Sequence, residues 1–462
     1  MRDRGWLVAL LGSVALLVAC GSDDSSGAGG TGASSGNGGT GASAGSGAAA
    51  GSGGVAGGSG GNASGGAGSG GLGSGGTGGG ATGDRYVAVN GNDSGDCSSS
   101  SSPCKTFAYA GKQMKPGEAL VIGDGSYAEG IDAATFPSGT AGAFTVVRAE
   151  HDAAATVTGP LDLYKNGDHF LQLEGLRFEG PDTKAVVGGN VRFYRSTFVG
   201  GPASGNTVSL AIGSNDFQPG AWDVLCEDCI LRGLGGRYSV LVYRAQNVTL
   251  RRLVARKDGG WGIGSASATQ SEPEGVIMFY ESQDSTCEQC VALDSLKESH
   301  SSAEGLGALI QNSHTNSHTN VKFVECYAVA NAYSGIAFEG NGQVNAAAVS
   351  DSYSAQNSQN GITANVGGSI ALTRIASLGN SGTGVASYGS STVTLSDSKV
   401  QNNGGKALDG VSGSTTGAGP KSINLSAFDS GRIRDELCAR ASVTRGLCAS
   451  QQTFQAYLQS FQ

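Results

Sequence analysis

The sequence predicts an all-β solenoid, a parallel β-helix in which each coil is one repeat. Asparagine recurs at intervals of 26, 23 and 23 residues, at Asn331, Asn357, Asn380 and Asn403. An aliphatic residue follows five positions after each of them: Ile336, Ile362, Val385 and Leu408. A period of about 23 residues built from short alternating strands and polar turns is typical of stacked β-coils, whereas helical repeats have longer periods and a 3.6-residue pattern.

The coil stack explains why the same positions recur. Equivalent residues of successive coils lie about 4.8 Å apart along the axis of a β-helix. We therefore expect the four asparagines to form a ladder in which each side-chain amide bonds to the next. The aliphatic residues should form a second column that fills the interior.

The amino-terminal end has the features of an exported lipoprotein. Residues 1–20 combine a basic start, an apolar run and the ending Leu17-Val18-Ala19-Cys20, which predicts a signal peptide too short for a membrane span. The ending resembles the lipobox of bacterial lipoproteins, which implies cleavage before Cys20 and acylation of its thiol. Gly21 is similar to the outer-membrane sorting pattern. We therefore expect an exported protein, lipid-anchored in the bacterial outer membrane or at the cell surface.

Three further segments follow the signal peptide. Residues 21–83 carry most of the excess of glycine, which totals 80 of 462 residues, and they predict a disordered Gly/Ser tether without a core. Residues 84–430 predict the β-helix, and residues 431–462 predict a C-terminal cap. The net charge of −9 argues against nucleic acid as a partner. We expect a monomer that meets the membrane through its lipid anchor only.

The cysteine count predicts disulfides. Ten cysteines minus Cys20 leave nine in an oxidising compartment, so one thiol is left over. Two expected pairs are close in sequence at the two ends of the folded region: Cys97 with Cys104, and Cys438 with Cys448.

The remaining cysteines are placed by the repeat register. One column is expected to contain Cys229, Leu253, Cys290 and Cys326. The two CxxC pairs then lie two coils apart, about 10 Å, too far for one zinc ion to bind both. We expect Cys226–Cys229 and Cys287–Cys290 to close within their own coils. A bond between Cys290 and Cys326, in adjacent coils, is the alternative.

Residues 85–131 resemble the entry segment of right-handed parallel β-helix proteins of the pectin-lyase-like superfamily. The matching features are Tyr86-Val87, Gly91-Asn92-Asp93, Pro103, Thr106, Pro116-Gly117-Glu118 and Gly125-Ser126-Tyr127. With the repeats, the resemblance covers about residues 85–430. It implies a single-stranded right-handed parallel β-helix and is informative about fold rather than activity.

Short helical caps are expected at both ends. Thr106 can cap a helix that places Phe107, Ala110 and Met114 over the open first coil, and the segment ALVIGDGSY then forms the first strand. At the other end residues 453–462 predict a helix that covers the last coil, because exposed strand edges invite aggregation.

Insertions predict the face on which function lies. The column advances by 24 residues from Cys229 to Leu253, but by 37 to Cys290 and by 36 to Cys326. In a solenoid, extra residues become loops on one face, often the working face. The inserted segments fall at 258–275, 296–305 and 311–320, and adjacent coils should place them side by side.

A polysaccharide lyase is one interpretation of these loops. Elimination across a uronate needs a cation that neutralises the sugar carboxylate and a base that removes the neighbouring proton. In the lyases that the chain resembles these are often Ca²⁺ on acidic side chains and a Lys or Arg. The candidate catalytic residues are Lys257 or Arg256 as the base, with His300 as an alternative base.

Candidate binding residues lie in the same loops. The candidate Ca²⁺ ligands are Asp258, Glu298 and Glu304, and the candidate substrate-binding residues are Glu298, Glu304 and Trp261, whose ring can stack on a sugar. Family 9 lyases have paired aspartates on such turns, whereas this chain has NAYSGIAF and NSQNGITA there. The sequence therefore assigns no certain cofactor and leaves Ca²⁺ open.

Two other function classes stay open. A glycoside hydrolase needs two facing carboxyl groups, but the run from Glu272 to Glu304 contains no adjacent Asp-Asp. A non-catalytic structural or adhesive rod accounts for the tether and for the small polar turns. The working hypothesis is a surface lipoprotein that recognises a polysaccharide or cell-surface glycan, with cleavage as an alternative.

Overall fold

The computed structural model describes residues 83–180, 184–200, 208–214, 219–233, 238–258, 273–296, 302–310, 318–439 and 444–462. These residues all fall in one structural unit, Thr77–Gln462. The predicted signal peptide, Cys20 and the predicted tether up to residue 82 lie outside the described residues.

The chain is a right-handed parallel β-helix, as predicted. Each coil runs along three faces, and every pairing of named strands is parallel. Face A contains β4 (Ile131–Asp132), β11 (Val208–Gly213), β14 (Tyr238–Tyr243), β17 (Pro273–Tyr280), β20 (Ser302–Ile310), β28 (Val385–Ser387) and β31 (Leu408–Asp409).

Face B follows face A within each coil. It contains β1 (Asp84–Val87), β2 (Ala119–Ile122), β5 (Thr145–Ala149), β12 (Ala221–Glu227), β15 (Ala245–Arg251), β18 (Thr286–Glu288), β21 (His318–Thr319), β22 (Lys322–Val324), β29 (Ser391–Ser396) and β32 (Ser412–Gly413). Four long strands run through faces A and B without a break: β7 (Leu161–Glu174), β9 (Ala185–Tyr194), β24 (Ile336–Ser350) and β26 (Ile362–Thr373).

Face C is a separate sheet of eleven short strands. They are β3 (Gly125–Tyr127), β6 (Ala155–Val157), β8 (Arg177–Glu179), β10 (Thr197–Val199), β13 (Ile230–Gly233), β16 (Val254–Lys257), β19 (Val291–Leu293), β23 (Tyr327–Val329), β25 (Tyr353–Ala355), β27 (Ala376–Leu378) and β30 (Lys399–Gln401). The helices are α1 (Phe107–Gln113), α2 (Ser430–Cys438), α3 (Gly446–Ser450) and α4 (Phe454–Gln459), with a 3₁₀ turn at Leu425–Ala427. Within the described chain, none of these helices is long and apolar enough to cross a membrane.

The predicted ladder and the predicted aliphatic column are both confirmed. The amide Nδ2 of one asparagine donates to Oδ1 of the next at 3.1, 2.9 and 2.9 Å along Asn331, Asn357, Asn380 and Asn403. The aliphatic residues of the interior column pair with one another on adjacent strands, in the order Ile336, Ile362, Val385 and Leu408. Successive coils therefore stack in the register that the repeat spacing predicts.

The corner between faces B and C repeats a strained backbone conformation. It is occupied by non-glycine residues with positive φ, among them Arg195, Asp228, Arg252, Asp351 and Arg374. A left-handed conformation costs an L-residue roughly 1–2 kcal/mol. Ion pairs between coils offset part of this cost, with Arg252 Nε 2.7 Å from Asp228 Oδ1 and Arg374 Nε 2.7 Å from Asp351 Oδ1.

The amino-terminal cap forms as predicted. The Thr106 side chain accepts a hydrogen bond from the backbone N–H of Tyr109 and so begins α1. Phe107, Ala110 and Met114 are buried against the first coil. The prediction that the first strand follows the cap was wrong. The predicted segment begins with the second strand, β2, which pairs with a strand before the cap, β1.

The carboxyl-terminal helices lie along the flank of the β-helix, so the prediction that they cover the last coil was wrong. Their apolar side chains pack on the outside of face C, against Ile230, Val254, Val291, Tyr327 and Tyr353. Those strand residues point away from the interior. They are apolar because a second layer covers them.

Three of the expected disulfides are present: Cys97–Cys104, Cys226–Cys229 and Cys438–Cys448. The expected bond between Cys287 and Cys290 is absent, and both are buried thiols together with Cys326. The predicted column is confirmed, because Ile230, Val254, Val291 and Tyr327, each one residue further along the chain, are successive strand partners.

Candidate functional site

The structure places two of the predicted site residues under the carboxyl-terminal helices. Arg256, in β16, is fully buried and donates from Nε and Nη2 to the two carboxylate oxygens of Asp258 at 2.7 and 3.1 Å. Arg445 Nη2, just before α3, also donates to Asp258, at 3.2 Å. Both Asp258 oxygens are thus occupied, and this carboxylate does not fit a Ca²⁺ site.

Lys257 and Asp294 also take part in the contact between face C and the carboxyl-terminal segment. Lys257 is fully buried, and its backbone carbonyl accepts from Arg445 Nη2 at 3.4 Å. One coil further, Asp294 accepts from the Tyr457 hydroxyl at 2.5 Å and from the Leu447 N–H at 2.8 Å. The prediction of a base at Arg256 and of a metal ligand at Asp258 is therefore corrected, because these side chains attach α2 and α3 to face C through the Leu437 carbonyl, Cys448 Sγ and Arg445.

The other predicted site residues are not brought together by the described residues. Trp261, Glu298 and His300 lie outside the part of the chain that the structure describes. Glu304 belongs to β20, where its backbone pairs with Gly275, but its side chain is not among those described. Their proposed roles stay predictions.

Face A carries an aromatic cluster that is closed to ligands. Tyr238, Leu241, Tyr243, Met278 and Tyr280 form a cluster separate from the central core. The rings of Tyr243 and Tyr280 stack with centroids 4.8 Å apart, but each of these two residues is only 4% exposed. A sugar has no access to such rings, so the open surface must be sought on another face.

Face B carries an open polar groove of about 390 Å³ across β9, β12 and β15. We call it the face B groove. Apart from the core residue Val224, its lining residues come from the same outward positions of three successive coils: Asn190, Arg192, Tyr194, Asp223, Leu225, Asn247, Thr249 and Arg251. Outward positions line up because the strands are in register, with Arg192 opposite Leu225 and Leu225 opposite Thr249.

The cations of the groove differ in their partners. Arg251 Nε pairs with Glu288 Oε2 at 2.8 Å and its Nη1 with Glu227 Oε2 at 3.3 Å, and the Glu288 hydrogen bond raises the pKa of Arg251. Arg192 stacks on the Phe144 ring with its Cζ 3.9 Å from the centroid. Within the described residues Arg192 has no carboxylate partner, so its guanidinium N–H groups are available to a ligand.

Neutral hydrogen-bonding groups surround these cations. Partial burial raises the pKa of Tyr194, so its hydroxyl remains a donor at neutral pH. Along one edge of the groove Asn190 Nδ2 donates to Asp168 at 2.8 Å, as Trp222 Nε1 does at 2.9 Å. The edge continues with Asn247 Nδ2, which donates to Asp223 at 3.2 Å.

Sequence reasoning missed this groove, although a signal for it exists. The groove strands carry NVRFY, DVLCE and NVTLR at residues 190–194, 223–227 and 247–251. Each begins with Asn or Asp at positive φ, the conformation that these residues tolerate best. The residue two positions later points out of the helix. Alignment of these segments, rather than of the insertions, locates the groove.

Comparisons with known proteins describe the fold only. No protein-family model matches the chain, and no curated protein matches it. Similar solved structures include pectate lyase Pel9A, with 15% identity over 80% of this chain and 87% of that chain and a TM-score of 0.43. The Azotobacter vinelandii mannuronan C-5 epimerase AlgE6 A-module has 10% identity over 66% and 92%, with a TM-score of 0.40.

A further similar structure is the alginate lyase of Paenibacillus sp. str. FPU-7, with 14% identity over 72% of this chain and 100% of that chain and a TM-score of 0.35. Sequence identities and scores of this size give no family membership. By its own strand register, the chain is a right-handed parallel β-helix protein with an open polar groove on face B.

Proposed function

We propose that this protein is a surface lipoprotein that recognises a polysaccharide through the face B groove. The observation that carries the proposal is the groove itself, in which three in-register coils present a phenol, amides, a hydroxyl and a guanidinium that has no carboxylate partner among the described residues. An enclosed small-molecule site would instead be a deep and mostly apolar cavity.

The spacing of the groove suits a linear polymer. Successive coils repeat about every 4.8 Å, a step comparable with the length of one sugar unit, so neighbouring units of one chain meet equivalent positions on neighbouring strands. Donors and acceptors with fixed orientation, such as Tyr194, Asn247 and Thr249, match the hydroxyl groups of a sugar. The guanidinium of Arg192 adds a donor pair suited to a carboxylate or sulfate.

Recognition is better supported than cleavage. Asp223 is the one carboxylate that lines the groove in the described chain, whereas glycoside hydrolysis requires two. Both predicted lyase bases of β16, Lys257 and Arg256, are fully buried on face C. Cleavage by the loops at 258–275 and 296–305 stays a separate prediction, which the release of unsaturated products from uronate polymers would test.

The binding test uses affinity electrophoresis of the purified chain through gels that contain neutral or acidic polysaccharides. We expect retardation by at least one polymer and a loss of affinity of about tenfold in Arg192→Ala, since a hydrogen bond to a charged group contributes roughly 1.5–3 kcal/mol. Lys322→Ala is the matched control. It removes an exposed cation from the same outward column, four coils further along face B.

The control should bind like the wild type. Equal retardation of all three proteins would show that another surface binds the polymer. Free migration of the wild type through every gel would refute the proposal.

A further inference from the structure

Three buried cysteines lie side by side in the interior of the β-helix. Cys287 is in β18, Cys290 directly precedes β19, and Cys326 directly precedes β23 in the next coil. All three are 0% exposed, and their Sγ atoms lie within 4.8 Å of one another. They are the cysteines that carry no disulfide in the part of the chain that the structure describes.

The register brings Cys290 into reach of both other cysteines. Val291 pairs with Tyr327, so Cys290 and Cys326 are neighbours in one column, about 4.8 Å apart and within the Cα range of roughly 4.4–6.8 Å for disulfides. Cys287 and Cys290 occupy the same two columns as the bonded pair Cys226–Cys229, whose Cα atoms are 6.1 Å apart. Cys287 and Cys326 lie in different columns and in different coils.

We propose that Cys287, Cys290 and Cys326 form a disulfide-exchange site, in which one disulfide is shared and Cys290 is its constant member. In one state Cys290 is bonded to Cys287 within a coil. In the other state it is bonded to Cys326 and cross-links two coils. Because all three sulfurs are enclosed, the exchange takes place within one molecule and without solvent.

The two steps have a defined electron balance. Two thiols form the first disulfide by reducing a disulfide donor R–S–S–R to two R–SH, with Cys290 always one of the two. In the exchange step the third cysteine, as a thiolate, attacks Cys290 Sγ. The new S–S bond forms as the old one breaks, and the departing sulfur becomes the thiolate that takes up the proton. No further oxidant is needed.

When all three cysteines are thiols, their surroundings favour Cys326 as the sulfur that first attacks the disulfide donor. Cys290 Sγ donates to the Leu250 carbonyl at 3.1 Å, and Cys326 Sγ lies 3.2 Å from the Cys287 carbonyl. Burial raises the pKa of Cys287 and of Cys290. Burial acts in the same direction on Cys326, but hydrogen bonds with the other two thiols outweigh it and lower the pKa of Cys326.

A soft metal ion is the competing occupant of three thiols. Three thiolates around a monovalent or divalent cation would leave net negative charge among the apolar core residues that surround them in the described chain, which costs free energy. A disulfide with one neutral thiol leaves no net charge there. The chain also contains three other disulfides, so the shared disulfide is the occupant that the structure favours.

The test is non-reducing peptide mapping by mass spectrometry of the full chain, alkylated during denaturation. We expect one disulfide and one alkylated thiol among the three cysteines of the wild type. Cys326→Ser should contain only the 287–290 bond, and Cys287→Ser only the 290–326 bond. Cys290→Ser should contain two alkylated thiols and no bond between them.

The Cys290→Ser and Cys326→Ser variants are expected to fold, because serine already occupies the column of Cys290 and Cys326. Ser352 follows Cys326 one coil further along, and its hydroxyl donates to the Ser350 carbonyl at 2.7 Å. Cys326 Sγ lies 3.3 Å from the corresponding Val324 carbonyl. The state of Cys97–Cys104 and Cys438–Cys448 in each sample reports whether the protein was oxidised and folded.

Three results would overturn the proposal. One is three alkylated thiols in wild-type protein whose other disulfides are intact. Another is a bond between Cys287 and Cys326 in the Cys290→Ser variant. The last is stoichiometric zinc or copper in native mass spectra of the wild type that is lost from Cys290→Ser.

Discussion

Asn357 shows how one side-chain amide connects three coils. Its Nδ2 donates to the Ala328 carbonyl at 3.0 Å and to Asn380 Oδ1 at 2.9 Å. Its Oδ1 accepts from the backbone N–H and from Nδ2 of Asn331 at 3.0 and 3.1 Å. The residue is 0% exposed, so without its side chain the Asn331 backbone N–H and the Ala328 carbonyl would lose this buried partner. Asparagine therefore occupies this position of the turn, because only an amide side chain supplies both hydrogen-bond donors and an acceptor in this geometry.

Substitution of this amide tests the ladder. We expect Asn357→Ala to lower the free energy of unfolding by about 3 kcal/mol. The substitution removes hydrogen-bond partners from buried polar groups of the two adjoining coils, which costs roughly 1–3 kcal/mol for each group. Urea denaturation followed by circular dichroism gives the value. Gln359→Ala, at an exposed position of the same turn, should change stability by less than about 0.5 kcal/mol. Equal effects of the two substitutions would contradict a structural ladder.

At the scale of elements, the contact between the carboxyl-terminal helices and face C combines apolar packing with buried charge. Leu437 and Phe454 belong to one apolar cluster with Val254 and Val291. The polar part of the contact is formed by Arg256, Asp258, Asp294 and Arg445. The charged groups that face Asp294 are Arg256 and Arg445, and the Tyr457 hydroxyl donates to it. A buried carboxylate makes such a contact sensitive to pH.

The direction of the pH dependence follows from the pKa of Asp294. Burial raises this pKa above 3.8, although the bonds from Tyr457 and Leu447 act the other way. A raised folded-state pKa means that the stabilisation is complete below the unfolded pKa and is lost as pH rises through the folded pKa. We expect the stability of wild type relative to Asp294→Asn to fall as pH is raised from about 3.8 towards neutrality.

Hydrogen exchange of α3 and α4 across this pH range measures the effect locally. Asp435→Asn, at an exposed position of α2, is the control and should keep the wild-type pH profile. A wild-type advantage over Asp294→Asn that grows with pH would contradict the assigned direction.

The sequence predicts the coil stack better than it predicts what covers the stack. The ladder and the interior column can be read because each coil repeats the same residue type at the same step. The contact of face C with the carboxyl-terminal helices joins residues such as Arg256 and Asp258 to Arg445, nearly two hundred positions away, and it occurs once. Adjacent apolar residues in the short strands, such as Ile230-Leu231 and Val254-Ala255, do signal burial on both sides. They do not identify the covering segment.

At the scale of the whole molecule, the proposed role requires the β-helix to be held at a membrane by residues outside those described. The predicted acylation of Cys20 would supply that attachment, since two or more acyl chains give stable anchoring. The predicted tether would then let the face B groove stand clear of the lipid surface. A soluble β-helix would lose this placement but not its groove.

Removal of the Cys20 thiol tests the predicted acylation and separates anchoring from binding. We expect Cys20→Ser to abolish labelling by radioactive palmitate and to shift the protein from the membrane fraction to the soluble fraction. Ser22→Ala, two positions beyond, is the control and should keep both label and membrane association. Continued membrane association of unlabelled Cys20→Ser would show that another feature holds the protein there.

The position of α2 to α4 on the flank of the β-helix has a consequence for biogenesis. Coils can stack one upon another as the polypeptide emerges, since each needs only its predecessor. The outer side of face C stays bare through that process, because its cover is made from α2 to α4, which follow the coils in the chain. A nascent molecule halted before residue 430 would therefore have a wound β-helix with an exposed apolar strip, and it would need a chaperone that shields this strip.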